Sequence, residues 1–343
     1  RRWRKERSRS VPSPSAVFRY LLGFHDEEEE RRRQAHTAFI PAAKDALQGL
    51  GKVNGELVGF VQSRSPLQQA TLDMDATLVE TDKGDALYSY RGYKAYQPLT
   101  TYWAEQELIV HSEFRDGNVP AGHEQLRVLK EALEHLPPGI EKVSLRSDTA
   151  GYQTELLRYC AEGKNERFGV IEFAVGVDVT PEFKKGVAEV AEEEWRPLER
   201  EVDGKKVPTG QQWAEVCFVP NWIGHSKKSA DYRYLAIREP LQQGPLKGME
   251  SQLELPFPTM ELPGKGWHKV FGVVTNRDVP GDELVWWHRQ RCGKSEEAHG
   301  VVKEDLAGGK LPSGRFGVNA AWWAIAVLAF NLNSAMKRLV LGK

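Results

Sequence analysis

The chain has 343 residues, and although 28% of them are charged, 47 Lys and Arg against 48 Asp and Glu leave a net charge of only -1. That length makes room for a large core and two or three structural units, while the balanced charge excludes a molecule-wide polycation, so any nucleic-acid contact has to be local. The three scattered cysteines, Cys160, Cys217 and Cys292, match neither a disulfide framework nor the close Cys/His spacing of structural zinc, which points to a reducing, cytoplasmic setting.

At the start, Arg1, Arg2, Arg4, Lys5, Arg7 and Arg9 face Glu6 alone, a basic arm or a truncation edge, and the opening Arg in place of Met leaves room for a preceding segment. No charged-then-apolar signal segment follows. Residues 11–50 carry helical signals: Ser13 and Ser15 are N-cap types beside Pro14, and Ala16, Val17, Tyr20, Leu21 and Phe24 recur at helical spacing. Within them, Asp26 to Glu30 followed by Arg31 to Arg33 sets opposite charges at helical spacing, as a solvated face or as part of a helical DNA-binding unit.

From Thr71 the period changes to two. Leu72, Met74, Ala76 and Leu78 alternate with Thr71, Asp73, Asp75 and Thr77, which predicts a strand with two carboxylates on one face. Residues about 86–96 and 107–115, rich in Tyr, Val and Phe, predict two more strands, and Pro120 and Gly122 lead into a helix from His123 to Leu136 with Leu126, Leu129 and Leu133 inward. Lys142 to Leu145 predicts a fourth strand ending at Asp148, Gln153 to Cys160 a helix, and Phe168 to Val175 a fifth strand. Three antiparallel-type strands, then strand, helix, strand, is the order of an α/β ribonuclease H-like mixed sheet flanked by helices.

Residues 177–280 fit that sheet poorly, because Pro, Gly, Lys and Glu separate short strand candidates at Val216 to Val219, Tyr232 to Ile237 and Val270 to Thr275. They read as a β-rich insertion before the last helices, Asp282 to Leu306 and Val318 to Leu339, which Gly308, Gly309, Pro312 and Gly314 divide. The longest apolar stretch, Ala320 to Phe330 with its flanks, falls short of the roughly 20 residues that span a bilayer and reads as a buried helix. Four segments follow: a helical 1–65, a first core part at 66–176, the insertion at 177–280 and the closing core helices at 281–343.

Three places can carry chemistry. Asp75 projects from a strand whose other face is apolar, with Asp73 about 7 Å away on the same face at strand rise; either can be a ligand or merely solvated. Asp148 falls where a strand ends and a helix begins, which suits a helix N-cap and equally a ligand beyond the carboxyl end of a strand. In Arg291-Cys-Gly-Lys-Ser-Glu-Glu-Ala-His-Gly-Val-Val-Lys303, Glu296, His299 and Lys303 stand at i, i+3 and i+7, one face of a helix, with Glu297 beside them. Nine histidines show no zinc-hydrolase spacing.

Taken together, Leu72-Asp-Met-Asp-Ala-Thr77, Gly92-Tyr-Lys-Ala-Tyr-Gln-Pro-Leu99, Leu145-Arg-Ser-Asp-Thr-Ala-Gly151 and the Glu296 to Lys303 helix resemble the Asp-Asp-Glu transposases of bacterial insertion sequences, in particular the group with a Tyr-Arg-Glu-Lys signature. The resemblance covers about 70–340, and residues 11–25 look like the end of that group's helical DNA-binding region. It implies that the Asp two before a Thr, Asp75, is the first catalytic acid, Asp148 the second, and Glu296, with six residues between it and Lys303, the third. Lys303 then contacts DNA phosphate, with Arg291 and His299 counted among the DNA-binding residues. Upstream the match loosens: His288 stands where the Tyr is expected, and four residues rather than three separate Arg291 from Glu296.

The resemblance further implies two Mg²⁺ ions, with Mn²⁺ as a substitute, held by Asp75, Asp148 and Glu296 for phosphodiester cleavage, then attack of the freed 3′-hydroxyl on new DNA. Its partners are double-stranded DNA, the element's terminal inverted repeats and the target, and a second copy of the chain in a homodimer that joins two ends. Rival readings are an inactive transposase that only binds its ends, and a structure-directed nuclease on the same scaffold. Trp195, Trp213, Trp222 and Trp267 in the insertion can stack on unpaired bases or pack the subdomain.

Overall fold

A computed structural model describes residues 12–218, 232–241 and 257–342; the basic arm, Val219 and Trp222 lie outside them. The chain forms two compact units, Arg1–Glu141 with Lys294–Lys343, and Lys142–Gly293.

The first unit opens on α1 (Pro14–Leu22), where the Ser13 hydroxyl accepts from the Ala16 N–H and Pro14 occupies the first turn, both ordinary helix-start devices. A single turn at Glu27–Glu30 pairs Glu27 with Arg31 and Glu29 with Arg32, largely in solvent. Helix α2 (Asp45–Arg64) buries Asn54, Val58, Val61 and Gln62, one stripe at helical spacing. Strands β1 (Gln69–Ala76), β4 (Leu99–Trp103) and β5 (Leu108–Glu113) pair antiparallel, with Asp73 opposite Tyr102 and Asp75 opposite Thr100. Between β1 and β4 lies a two-strand ribbon, β2 (Val79–Glu80) and β3 (Ala95–Tyr96). The strand expected over 86–96 is largely a turn instead, because Gly92 adopts φ 81° and Ser89 bonds to the Tyr93 carbonyl, folding the chain back on itself. Helix α3 (Gln125–His135) follows.

The second unit begins with β6 (Lys142–Ser147), crosses through α4 (Thr154–Ala161) and returns as β7 (Glu172–Val177), parallel to β6 with Ser147 opposite Val175. After α5 (Pro181–Glu189), β8 (Arg196–Val202), β9 (Lys205–Glu215), β10 (Arg233–Pro240), β11 (Thr259–Leu262) and β12 (Gly266–Thr275) all pair antiparallel. Because β12 also pairs with β7, the β-rich insertion extends the β6–β7 sheet, making it mixed. Helix α6 (Gly281–Arg289) buries Leu284 and Val285 with Leu198, Trp213, Leu235 and Val273.

The single helix expected from Asp282 to Leu306 is interrupted twice. Arg146 donates to the Trp287 carbonyl at 2.7 Å and to Gln290 Oε1, claiming a carbonyl that a continuous helix would give to the N–H four residues on. The chain restarts as α7 (Arg291–Gly300) and widens into a π-turn over Val301–Asp305, closed by Leu306 N–H to Val301 O. Gly308 is required where it ends, since a Cβ there would lie 2.6 Å from the Val302 carbonyl.

The last helix, α8 (Phe316–Leu339), is the core element of the first unit. By length and composition it is the one described helix able to cross a membrane, yet 61% of its apolar window is buried, with Trp323, Val327 and Phe330 packed among Tyr102, Ile109 and Phe114. Midway along, Asn331 accepts from the Ile109 N–H at 2.8 Å and donates to the Ile109 carbonyl and to Asn54 Oδ1 at 2.7 Å. Asn331→Ala leaves the buried Ile109 N–H and Asn54 Oδ1 without this partner, while the Ile109 carbonyl keeps Asn54 Nδ2 at 2.9 Å, and a loss of about 2–4 kcal/mol in urea unfolding is expected; a change below about 0.5 kcal/mol would show that the network contributes little.

Candidate functional site

The first unit holds Asp73 and Asp75 on one face of β1. Asp73 is fully buried, whereas Asp75 sits where the strand emerges, its side chain 13% exposed and its Oδ2 3.9 Å from His299 Nδ1. Helix α7 is turned so that Ser295, Ala298 and Val302 face inward at i, i+3 and i+7, the core stripe of a docked helix, while Lys294 pairs with Glu107. That rotation leaves Glu296 and Glu297 on the exposed flank and brings His299 to Asp75. Burial, then the charges of Glu107, Asp73 and Glu297, raise the Tyr102 hydroxyl well above its ordinary range, so Glu297 and Asp73 both act on the Tyr102 side of this cluster.

Lys303 is displaced from the simple helical face by the π-turn, whose extra residue per turn rotates it relative to Glu296 and His299. Its ammonium has no ion-pair partner among the described residues.

In the second unit, Asp148 stands just past β6 and its Oδ1 accepts from the Ala150 N–H at 2.9 Å, capping the short turn Thr149–Gly151. The cap engages one carboxylate oxygen, so capping and ligation are compatible. Gly176 of β7 makes the close approach possible: a Cβ there would lie 3.0 Å from the Thr149 nitrogen and 3.2 Å from the Asp148 carbonyl carbon. Two residues on, Asp178 has its pKa raised by burial and then by the charge of Asp148. The two parallel strands thus each end in a carboxylate, at the strand ends where ligands gather in parallel sheets. Asp178 escapes the sequence reading, because the fifth expected strand ends at Val175 whereas β7 runs to Val177.

His288, which stands where the family's Tyr is expected, is fully engaged with this turn. Its Nε2 carries the hydrogen and donates to the Ser147 carbonyl at 3.0 Å, holding the residue before Asp148. Burial pushes its pKa down to about 4, helped by Arg291, Arg146 and Arg289 and opposed by the Ser147 bond. Arg291 itself is only 8% exposed, its charge close enough to act on His288. The tryptophans of the insertion that are described pack: Trp213 lies in the core against Gly281, and Trp195 is buried under Arg238 at 4.1 Å, while Trp267 is half-buried.

Among the described residues, no group of three or more His, Cys, Asp or Glu is arranged to hold a metal ion. The donor chemistry nevertheless suits a hard divalent cation: Asp148 commits only Oδ1 to its cap, and the charge it places on Asp178 is the repulsion a cation relieves.

The profile of the transposase DDE domain group 1 family matches residues 4–226, well over half of the chain, a span that includes Asp75 and Asp148 and stops before Glu296. A piggyBac transposase synaptic complex with hairpin DNA aligns over 97% of this chain and 76% of that one, at 11% identity and a TM-score of 0.47. The Mos1 transposase paired-end complex with left transposon end aligns over 47% of this chain and 59% of that one, at 15% identity and a TM-score of 0.21. At these scores neither fixes the fold. No curated protein matches the chain.

The buried neutral His288 has a consequence for stability. Its folded pKa of about 4 lies below the ordinary 6.5, so between those values the unfolded chain binds the extra proton and stability falls as the pH drops, by up to about 3 kcal/mol at the lower end. Urea midpoints measured from pH 7 to 4 should decline more steeply for the wild type than for His288→Gln; parallel curves would rule the buried histidine out as the cause.

Proposed function

Since this chain belongs to the transposase DDE domain group 1 family, we propose that it is the transposase of a bacterial insertion sequence, cutting the element's ends and joining them to new DNA on a ribonuclease H-like scaffold. What carries the reading is that the family match takes in both Asp75 and Asp148, each standing where a strand runs out.

In this reading Asp75, Asp148 and Glu296 form one centre, a grouping supported by the resemblance of their motifs to those of Asp-Asp-Glu transposases. When bound there, two Mg²⁺ ions, replaceable by Mn²⁺, polarise the scissile phosphate and the attacking oxygen. The protein's own part is positional. Strand β1 fixes Asp75, and His299 on α7 stands beside its carboxylate, Nδ1 3.9 Å from Oδ2. The Ala150 N–H orients one oxygen of Asp148, and His288 fixes the peptide before it. Lys303 neutralises a DNA phosphate. Water breaks the phosphodiester at the element end and leaves a 3′-hydroxyl. That hydroxyl then displaces a 3′-oxygen in the target strand, one bond exchanged for another. Double-stranded terminal repeats and target DNA are the partners, with two copies of the chain joining two ends in a reducing cytoplasm.

The test uses the element flanked by its own ends, incubated with the protein and Mg²⁺. Asp75→Ala, Asp148→Ala and Glu296→Ala should each lower cleavage by more than about 100-fold, since even partners one step removed from a metal cost 10–100-fold, while end binding in a gel-shift assay persists. Normal cleavage by one variant removes that residue from the centre. End binding without cleavage by the wild type would make the chain a binding protein.

A further inference from the structure

The turn that replaces the expected strand after Asp75 is a surface with an unexplained composition. Residues 88–94 read Tyr88-Ser-Tyr90-Arg91-Gly92-Tyr93-Lys94, three aromatic rings and two cations with no acid among them. Tyr88 is 63% exposed and Tyr90 74% exposed, with Arg91 and Gly92 exposed beside them. Single exposed apolar residues need no explanation, but two tyrosine rings at one tip, each with its own cation, do. The Arg91 guanidinium lies 5.7 Å from the Tyr90 ring and the Lys94 ammonium 5.9 Å from the Tyr88 ring.

This tip is built, not loose. The Ser89 N–H and hydroxyl both donate to the Tyr93 carbonyl, the Gly92 N–H donates to the Ser89 carbonyl, and Tyr88 bridges Lys94. Its base is anchored by buried Ala86, Ala95 and Tyr96. Lys94 also donates to the Gly84 carbonyl at 2.7 Å, which fixes the stem. Through Thr81 N–H to Lys94 O and Thr77 N–H to Pro98 O, the ribbon is tied to the chain leaving β1, two residues beyond Asp75.

We propose that the Tyr88–Lys94 turn is a docking surface for unpaired DNA, with the Tyr88 and Tyr90 rings stacking on exposed bases and Arg91 meeting the backbone phosphate. Aromatic faces interleaved with cations are the recognition chemistry of single strands, because every base has a face to stack and every nucleotide a phosphate to neutralise. The inference rests on the transposase reading, in which cutting exposes unpaired DNA beside the centre that holds Asp75.

Fluorescence anisotropy on the whole chain tests it, with a fluorescein-labelled 20-nucleotide oligo-dT and a labelled 20-base-pair duplex as probes. The double variant Tyr88→Ala, Tyr90→Ala should bind the single strand at least about tenfold more weakly, with little change on the duplex. The double variant Tyr88→Phe, Tyr90→Phe, which keeps both rings, should bind as the wild type does. Arg91→Ala should lower the slope of log affinity against log salt by about 0.7 on the single strand. The residues are exposed, and an unchanged thermal midpoint confirms that each variant folds. If the alanine variant binds oligo-dT as tightly as the wild type, or the phenylalanine variant fails to restore binding, the surface is not a stacking platform and the transposase reading stands. If the wild type binds neither probe, that reading falls and this one with it.

Discussion

The unit that carries Asp75 depends on a carboxylate nearly the whole chain away from the helix it caps. Glu30 accepts from the Phe316 N–H at 2.9 Å and the Gly317 N–H at 2.8 Å, at the start of α8, where Arg315 provides no side-chain cap. A helix beginning in the core leaves its first N–H groups unsatisfied, and a carboxylate satisfies two of them while meeting the positive end of the helix dipole. Gly317 lets the chain just after α1 come close enough for this, since a Cβ there would lie 2.1 Å from the Phe24 carbonyl oxygen. With α8 anchored, Trp323 and Phe330 close over Tyr102 and Phe114, and Ala298 and Val302 complete the same cluster. The rotation of α7, and with it the placement of His299 at Asp75, follows from that packing.

The second unit reaches its order by a different device, the capture of backbone carbonyls. Arg146 on β6 takes the Trp287 carbonyl and His288 donates to the Ser147 carbonyl; these two bonds run in opposite directions between the end of β6 and α6. Each engages a backbone carbonyl near the end of the element that carries it. The result is a rigid peptide immediately before Asp148, on a strand end where Gly176 has already removed the steric barrier to its neighbour. A histidine serves here because burial keeps it neutral and a donor. An imidazolium at that spot would face Arg291, Arg146 and Arg289.

Periodicity carried the elements whose burial is local. The alternation at Thr71 to Thr77 became β1, the expected helix became α3 with Leu129 and Leu133 buried beside Val128 and Ala132 but Leu126 only half-buried, Ser13 did cap α1, and the apolar run near the end became the buried α8. It failed where a tight turn or a distant partner decides. The Tyr-rich run at 86–96 alternates like a strand, but Gly92 at positive φ and the Ser89 bonds to Tyr93 make it a turn. The break after α6 depends on an arginine some 140 residues earlier in the chain. Glu30 looked like one more charge in an acidic run, and most of that run is indeed solvated. Within the candidate site, Asp148 as a cap was readable from Asp-Thr-Ala-Gly, whereas Asp178, and the bond that His288 makes to the Ser147 carbonyl, become visible only once β7 and α6 are placed.

The choice between Asp73 and Asp75 turns on solvation. Two residues apart on one face of β1, they differ in that Asp73 lies fully buried opposite Tyr102 while Asp75 reaches the strand's open end. An ionised carboxylate in a dry interior loses far more hydration than partners of ordinary strength return. A hydrated divalent cation also has to reach its ligand, and Mg²⁺ retains several waters when it binds. Asp75, partly exposed at the end of β1, meets both conditions, with His299 Nδ1 3.9 Å from one of its oxygens. Asp73 is suited to the supporting role, setting the polarity beneath the site through Tyr102 and its Glu297 neighbour. On α7 the same contrast does not arise, because Glu296 and Glu297 are both exposed, Glu296 one turn before His299.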